Sequence, residues 1–222
     1  MFKSLIKYSI VLFYGLIIYL FVFTVFILLF DKSTIFYFVN SHYDPFLDKL
    51  FYYITALGNG WTYTILILAM LFVSYRYFMM FLSAILIQTI IVQSMKYLFF
   101  PGILRPHQYF KTISGFHIIN GVDLLGYNSF PSGHSASVFC AAVLLSLIIK
   151  KNNWTILFIL IAILTGYSRM YLGQHFSVDV YTGSIIGILA AYVCFWFIVI
   201  KPIGKLNRVG WIDKKITFSK AG

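Results

Sequence analysis

Apolar residues fall in long blocks along this chain, each edged by charged or turn-forming residues. A helix crosses the hydrocarbon of a bilayer in about 20 mostly apolar residues. Six blocks approach that length: about Tyr8–Phe30, Ile54–Tyr75, Tyr77–Phe99, Ser132–Ile149, Trp154–Leu172 and Val178–Ile200. The pattern predicts an all-α, polytopic membrane protein, a six-transmembrane-helix bundle. The first block follows Lys3 and Lys7, as a signal peptide would. It is longer than an h-region and no small-x-small cleavage site follows, so it reads as a span. A Gly-Asn-Gly break at Gly58–Gly60 interrupts the second block near its start.

Two connections are long. Residues 31–53 place Asp31, Lys32, Asp44, Pro45, Asp48 and Lys49 among aromatics, the pattern of an interfacial segment with a short amphipathic helix. Residues 100–131 form a long loop between the third and fourth spans. Connections of that length are usually functional or disordered. No repeat divides the chain, which reads as one domain, 1–222, with its polar motifs within about 96–187 and a basic tail over about 201–222.

Composition agrees with a membrane protein. The chain is 61% hydrophobic and 10% charged, against about 25% charged in soluble domains. Both cysteines, Cys140 and Cys194, lie inside apolar runs and read as packing residues. The net charge of +11 arises from basic residues that flank the apolar blocks. That placement suits anionic lipid headgroups and topology, and nucleic acid is excluded as a partner. With six spans, Lys3, Lys7, Arg76, Lys150, Lys151 and the six basic residues from Lys201 onward share one side. Lys32, Lys49, Lys96, Arg105, Lys111 and Arg169 share the other. The larger group predicts cytoplasmic termini in a multi-pass cell (inner) membrane protein. The start of the fourth span then faces the periplasmic or extracellular side.

Polar residues gather at that outer face. Lys96 ends the third span, Leu104-Arg105-Pro106 opens the loop, and Pro131-Ser132-Gly133-His134 begins the fourth span. The stretch Ser168–Asp179 joins the last two spans and carries Arg169, His175 and Asp179. A charge at membrane depth costs about 2.5–3.5 kcal/mol at a helix centre, so such residues are functional candidates. Three cations together call for an anion, and phosphate is one. Ser132 suits a helix N-cap, and Gly133 lets an oxyanion approach the unpaired amides of the first turn. His134 then stands beside the bound anion. His175 and Asp179 are four residues apart, so a helix or a turn brings them together. A carboxylate on one imidazole nitrogen fixes the tautomer and prepares the other nitrogen as base or nucleophile. Arg169 offers a planar fork to phosphate oxygens. Taken singly, Pro-Ser-Gly-His also reads as a plain helix start, and His175–Asp179 as a structural pair.

Together these residues resemble the type 2 phosphatidic acid phosphatase family, membrane lipid phosphatases that share a site with vanadium haloperoxidases. That family carries Lys-x6-Arg-Pro, Pro-Ser-Gly-His and Ser-Arg-x5-His-x3-Asp. The second motif is complete at Pro131–His134 and the third at Ser168, Arg169, His175 and Asp179. The first departs, with eight residues between Lys96 and Arg105, including Pro101-Gly102. The resemblance implies hydrolysis of a lipid phosphate monoester or diphosphate. His175 is then the nucleophile that becomes a phosphohistidine, oriented by Asp179, and His134 is the acid and then the base. Lys96, Arg105, Ser132, Gly133 and Arg169 hold the phosphate oxygens. It implies no cofactor, and the scarcity of carboxylates implies no metal. Family substrates are undecaprenyl pyrophosphate, phosphatidylglycerol phosphate, phosphatidic acid and lipid A phosphates, the first being favoured on family breadth. A lipid phosphotransferase with the same residues, and a non-catalytic lipid binder or transporter on the same fold, stay open as rivals. Outside the motifs, His107 and His117 read as solvated loop residues, Gln88 and Gln93 as links between helices, and Gly183 and Gly187 as a close helix contact.

Overall fold

Short polar side chains start most of the helices. In the computed structural model, which describes residues 9–111, 116–119, 121–123 and 125–201, Ser9 accepts the Leu12 amide on its hydroxyl and opens α1, Ile10–Leu29. Asp31 accepts the Ser33 and Thr34 amides and opens α2, Lys32–Ser41. Asp44 caps α3, Pro45–Thr55, whose proline occupies the first turn, where a missing N–H costs nothing. A single 3-10 turn, Ala56–Gly58, and an extended Asn59 separate α3 from α4, Gly60–Leu71. Then come α5, Tyr75–Ser94, running on as a π-helical turn at Met95–Phe99, and the short α6, Pro106–Tyr109. The chain continues with α7, Gly133–Ile149, α8, Asn152–Tyr171, and α9, Ser177–Phe195, the last also ending in a π-helical turn, Trp196–Ile200.

Four helical stretches among the described residues are long and apolar enough to cross a membrane: Ile10–Leu29, Tyr75–Phe99, Asn152–Tyr171 and Ser177–Ile200. The pair α3 and α4 passes the same test as a fifth, bent by 50° at the Asn59 break. The apolar α7 is shorter, at 17 residues. Each predicted block thus holds helix, but four or five of them meet the span criterion by themselves. The second block differs most from expectation. Its helix begins at Pro45 and bends where two glycines flank Asn59, so residues 31–53 form α2 and most of α3 rather than one interfacial helix. The tail beyond Lys201, and Lys3 and Lys7, lie outside the described residues.

The core is organised about α7, which is buried along nearly its whole length. A helix apolar all round belongs at the centre of a bundle. It packs most extensively on α9, then on α8. The α7–α9 approach is close because Gly183 and Gly187 have no side chain. A Cβ on Gly183 would overlap the Ser132 carbonyl oxygen, and one on Gly187 the Ala136 carbonyl oxygen. The predicted glycine contact therefore joins two helices of one bundle. Gly187→Ala is expected to lower stability by about 1–3 kcal/mol through overpacking. Gly60→Ala, with open space around its Cβ position, is expected to be neutral or slightly stabilising. Thermal unfolding of both variants in detergent checks the contrast.

Candidate active site

The start of α7 is fixed from two directions. The Ser132 amide donates to the Asp179 carbonyl oxygen on α9 at 2.9 Å, and the Ser132 hydroxyl accepts the Ser135 amide at 3.3 Å as the predicted N-cap. The preceding Phe130–Pro131 peptide is cis. His134, in the first turn, meets the break between α3 and α4. Its Nε2 lies 2.6 Å from Asn59 Oδ1, and its backbone packs on Gly58, where a Cβ would clash.

His175 sits in the turn between α8 and α9, not on the α9 helix itself. Gly173 has φ of +66°, a conformation glycine adopts without strain. The Gln174 and His175 amides then both return to the Arg169 carbonyl oxygen, at 2.9 and 3.1 Å. This turn aims the imidazole at α9. Asp179 Oδ2 lies 3.4 Å from His175 Nδ1 and also accepts the Phe176 amide at 3.0 Å and the Ser129 hydroxyl. An ionised Asp179 favours a proton on Nδ1 and leaves the Nε2 lone pair free.

Three cationic side chains are buried with this pair: Lys96 at 8% exposure, Arg105 at 6% and Arg169 at 7%. Lys96 sits on the π-helical turn, and the chain then turns at Pro101-Gly102, with Gly102 at φ +76°, on its way to Arg105; the lysine stays on the near side of that turn. Its Nζ donates to the Asn128 carbonyl at 2.9 Å. Arg105 donates to the Tyr127 carbonyl at 3.1 Å, and to the Gln174 carbonyl and side-chain oxygens at 3.2 and 3.1 Å. Arg169 donates to Thr55 Oγ1 at 2.7 Å and to Gln174 Oε1 at 3.5 Å, while its buried Nε has no partner among the described residues. The eight residues picked out by the motifs thus share one site. Ser168, by contrast, spends its hydroxyl on the Thr165 carbonyl of its own helix.

Four further residues belong to the site and carry no motif: Thr55, Asn59, Ser129 and Gln174. Gly-Asn-Gly marked a break in an apolar block, which is the one sequence signal that pointed to Asn59. Gln174 holds both guanidinium groups, and its amide nitrogen donates to the Asp123 carbonyl at 2.8 Å. His117 is not a solvated loop residue. Its Nε2 pairs with Asp48 at 3.0 Å, its ring stacks on Tyr43, and its backbone bonds Asn40 in both directions. Gln88 joins α5 to α7 as expected, donating to Ser137 Oγ at 3.0 Å.

Burial, and then the charges of Arg169, Arg105 and Lys96, hold the His175 imidazole well below its ordinary 6.5. Burial likewise lowers Arg105, opposed by Asp179. A depressed histidine binds fewer protons folded than unfolded, so its contribution to stability is lost as pH falls below 6.5. Histidine-selective NMR is expected to find His175 neutral at pH 7 and titrating below an ordinary imidazole, and Arg105→Gln should move its titration upward. A wild-type ring titrating at its ordinary value would contradict this electrostatic picture.

Comparison with known proteins agrees with the geometry. The chain is 39% identical over 69 residues to the bacitracin transport permease protein BcrC of Bacillus licheniformis, covering 31% of this chain and 33% of that protein. It is 35% identical over 107 residues to a lipid A 4'-phosphatase of Bacteroides thetaiotaomicron, covering 48% of this chain and 47% of that one. The matched segments thus span between a third and a half of those relatives. The crystal structure of Aquifex aeolicus LpxE superposes with a TM-score of 0.65 at 29% identity, covering 73% of this chain and 93% of that one. The family profile described as PAP2 superfamily matches residues 76–202, a segment that holds all eight of the motif-derived site residues, and the chain belongs to that superfamily.

Proposed function

We propose that the protein is an integral membrane lipid phosphatase that works through a phosphohistidine. The observation that carries this reading is the burial of His175, pinned by Asp179, among Lys96, Arg105 and Arg169. His175 Nε2 attacks phosphorus as the bond to the leaving lipid oxygen breaks. His134 gives that oxygen a proton. With Nε2 of His134 held by Asn59, Nδ1 is the nitrogen that exchanges it. In the second step His134 takes a proton from water, the resulting hydroxide displaces His175 from phosphorus, and inorganic phosphate leaves.

The three cations, the Ser132 hydroxyl and the Gly133 amide hold the equatorial oxygens. Phosphoryl transfer depends mainly on such positioning and charge stabilisation. Metal independence is part of the proposal, because fixed cations occupy the role a metal fills elsewhere. Among the described residues no three His, Cys, Asp or Glu side chains are grouped to hold an ion. Substrates of this reading are lipids bearing a phosphate monoester or diphosphate. The lipid A 4'-phosphatase relative supports that class.

We further propose six crossings, with α3–α4 as one bent span and α7 as a short central one. The termini then face the cytoplasm and the site lies at the outer interface of the inner membrane, which the distribution of Lys and Arg supports. A name such as transport permease on one relative keeps the binder or transporter reading in view, and the assay separates the two. Phosphate release from detergent-solubilised lipid phosphates is expected in the presence of chelator, and His175→Ala should reduce it by about 10³ or more. Undiminished release in the variant would remove His175 as nucleophile. Loss of activity on chelation alone would remove the metal-free mechanism.

A further inference from the structure

The start of α4 departs from the habit of most other helix starts in this chain. Ser9, Asp31, Asp44, Ser74 and Ser132 each turn a side-chain oxygen back onto an amide of the helix they precede. Asn59 holds the same position before α4, and asparagine is among the residues best suited to it. Its side chain nevertheless makes no cap bond. The bend does not need that side chain either. The Asn59 amide and the Thr62 hydroxyl both donate to the Ala56 carbonyl oxygen, at 3.0 and 2.7 Å, and the Tyr63 amide returns to the Asn59 carbonyl oxygen at 3.3 Å. Backbone and Thr62 thus build the turn. Asn59 Oδ1 is left for His134 Nε2, at 2.6 Å.

A side chain that forgoes the bond its position offers marks a site where function overrides local preference. Gly58 supplies the closeness, since a Cβ there would lie 2.8 Å from the His134 Cβ. Thr55, on the same stretch, holds Arg169 of α8. The bond to His134 has a direction. An amide oxygen only accepts, so Nε2 carries a proton and Nδ1 is the nitrogen left to exchange one. Without that acceptor the ring is free to turn, and either nitrogen can carry the proton.

We propose that Asn59 is the positioning residue of His134: it gives up the cap of α4 to fix the ring and tautomer through which the leaving oxygen is protonated. This inference rests on the phosphatase reading and deepens it. Asn59 acts in the step where the bond from phosphorus to the leaving oxygen breaks and the proton passes from His134 Nδ1 to that oxygen. A leaving group that departs readily as an anion has little need of that proton, and an alkyl alcohol has great need of it.

The test is kcat/KM, which reports the steps through departure of the leaving group, for phosphatidic acid and 4-nitrophenyl phosphate in one detergent. Asn59→Ala is expected to lower it about tenfold or more for phosphatidic acid, and no more than about threefold for 4-nitrophenyl phosphate. Asn59→Asp keeps an acceptor in place and should recover most of the loss. In a His134→Ala background, Asn59→Ala should cost nothing further. Histidine-selective ¹⁵N NMR reads the same bond without turnover. Neutral His134 should carry its proton on Nε2 in the wild type and lose that preference in Asn59→Ala. A purely structural link would lower both substrates alike and add its loss to that of His134→Ala. Either result, or a wild-type proton on Nδ1, would overturn the role of Asn59 and leave the phosphatase reading standing. Where the wild type cleaves only one of the two esters, the NMR result decides. Release from neither these esters nor the other lipid phosphates would instead overturn the phosphatase reading, and this inference with it.

Discussion

Positive charge buried near lipid is the constraint around which this protein is built. Lys96, Arg105 and Arg169 are each almost fully enclosed, and one carboxylate, Asp179, is buried with them. Full pairing with acids would neutralise the site and close it to an anion. The fold instead surrounds the cations with neutral oxygens: the carbonyls of Asn128, Tyr127 and Gln174, the Gln174 side chain and the Thr55 hydroxyl. These donate no charge, so the field stays positive. Arg169 Nε has no partner among the described residues, which suits a site that takes a further acceptor.

That same field acts on His175, the nucleophile of the proposed mechanism. A histidine enclosed by cations resists protonation, so His175 keeps its lone pair where a solvent-exposed imidazole would begin to lose it. Asp179 orients the ring, and Ser129 and the Phe176 amide in turn hold Asp179. The α7–α9 contact through Gly183 and Gly187 brings the Ser132–His134 turn onto this pair at backbone distance. A bulkier α9 would move His134 away from His175 without touching either side chain.

The N-terminal third, which carries no motif, supports the site from behind. Thr55 holds Arg169, and Asn59 holds His134. Asp48, in the first turn of α3, gathers His117 from the long loop and Tyr171 from the end of α8. Phe116 fills the space over Gly173, beside the His175 turn. The described part of the loop is therefore anchored to the same elements that position Arg169 and His175.

Much of this was legible in the chain. Apolar blocks of bilayer length fix helices because the backbone has no other partner in hydrocarbon. Ser132-Gly133-His134 and Arg169–His175–Asp179 name their chemistry through local spacing, since caps and tight turns act over a few residues. Gly183 and Gly187 marked a close contact because small residues four apart share one helix face. Lys96 lies buried near Arg105 and Asp179 despite its spacing, but the π-helical turn that carries it and the Pro101-Gly102 bend before Arg105 are features of folded geometry. Tertiary structure alone decided the rest. The bend at Asn59, and the reach of Thr55, Asn59 and Gln174 into the site, depend on contacts between residues far apart in sequence. A lone asparagine, threonine or glutamine carries no periodic signal. The cavity between Gln88, Thr89 and Gln93 of α5 and Gly133, His134 and Ser137 of α7 was equally hidden, because a cavity is a property of the space between elements rather than of any one of them.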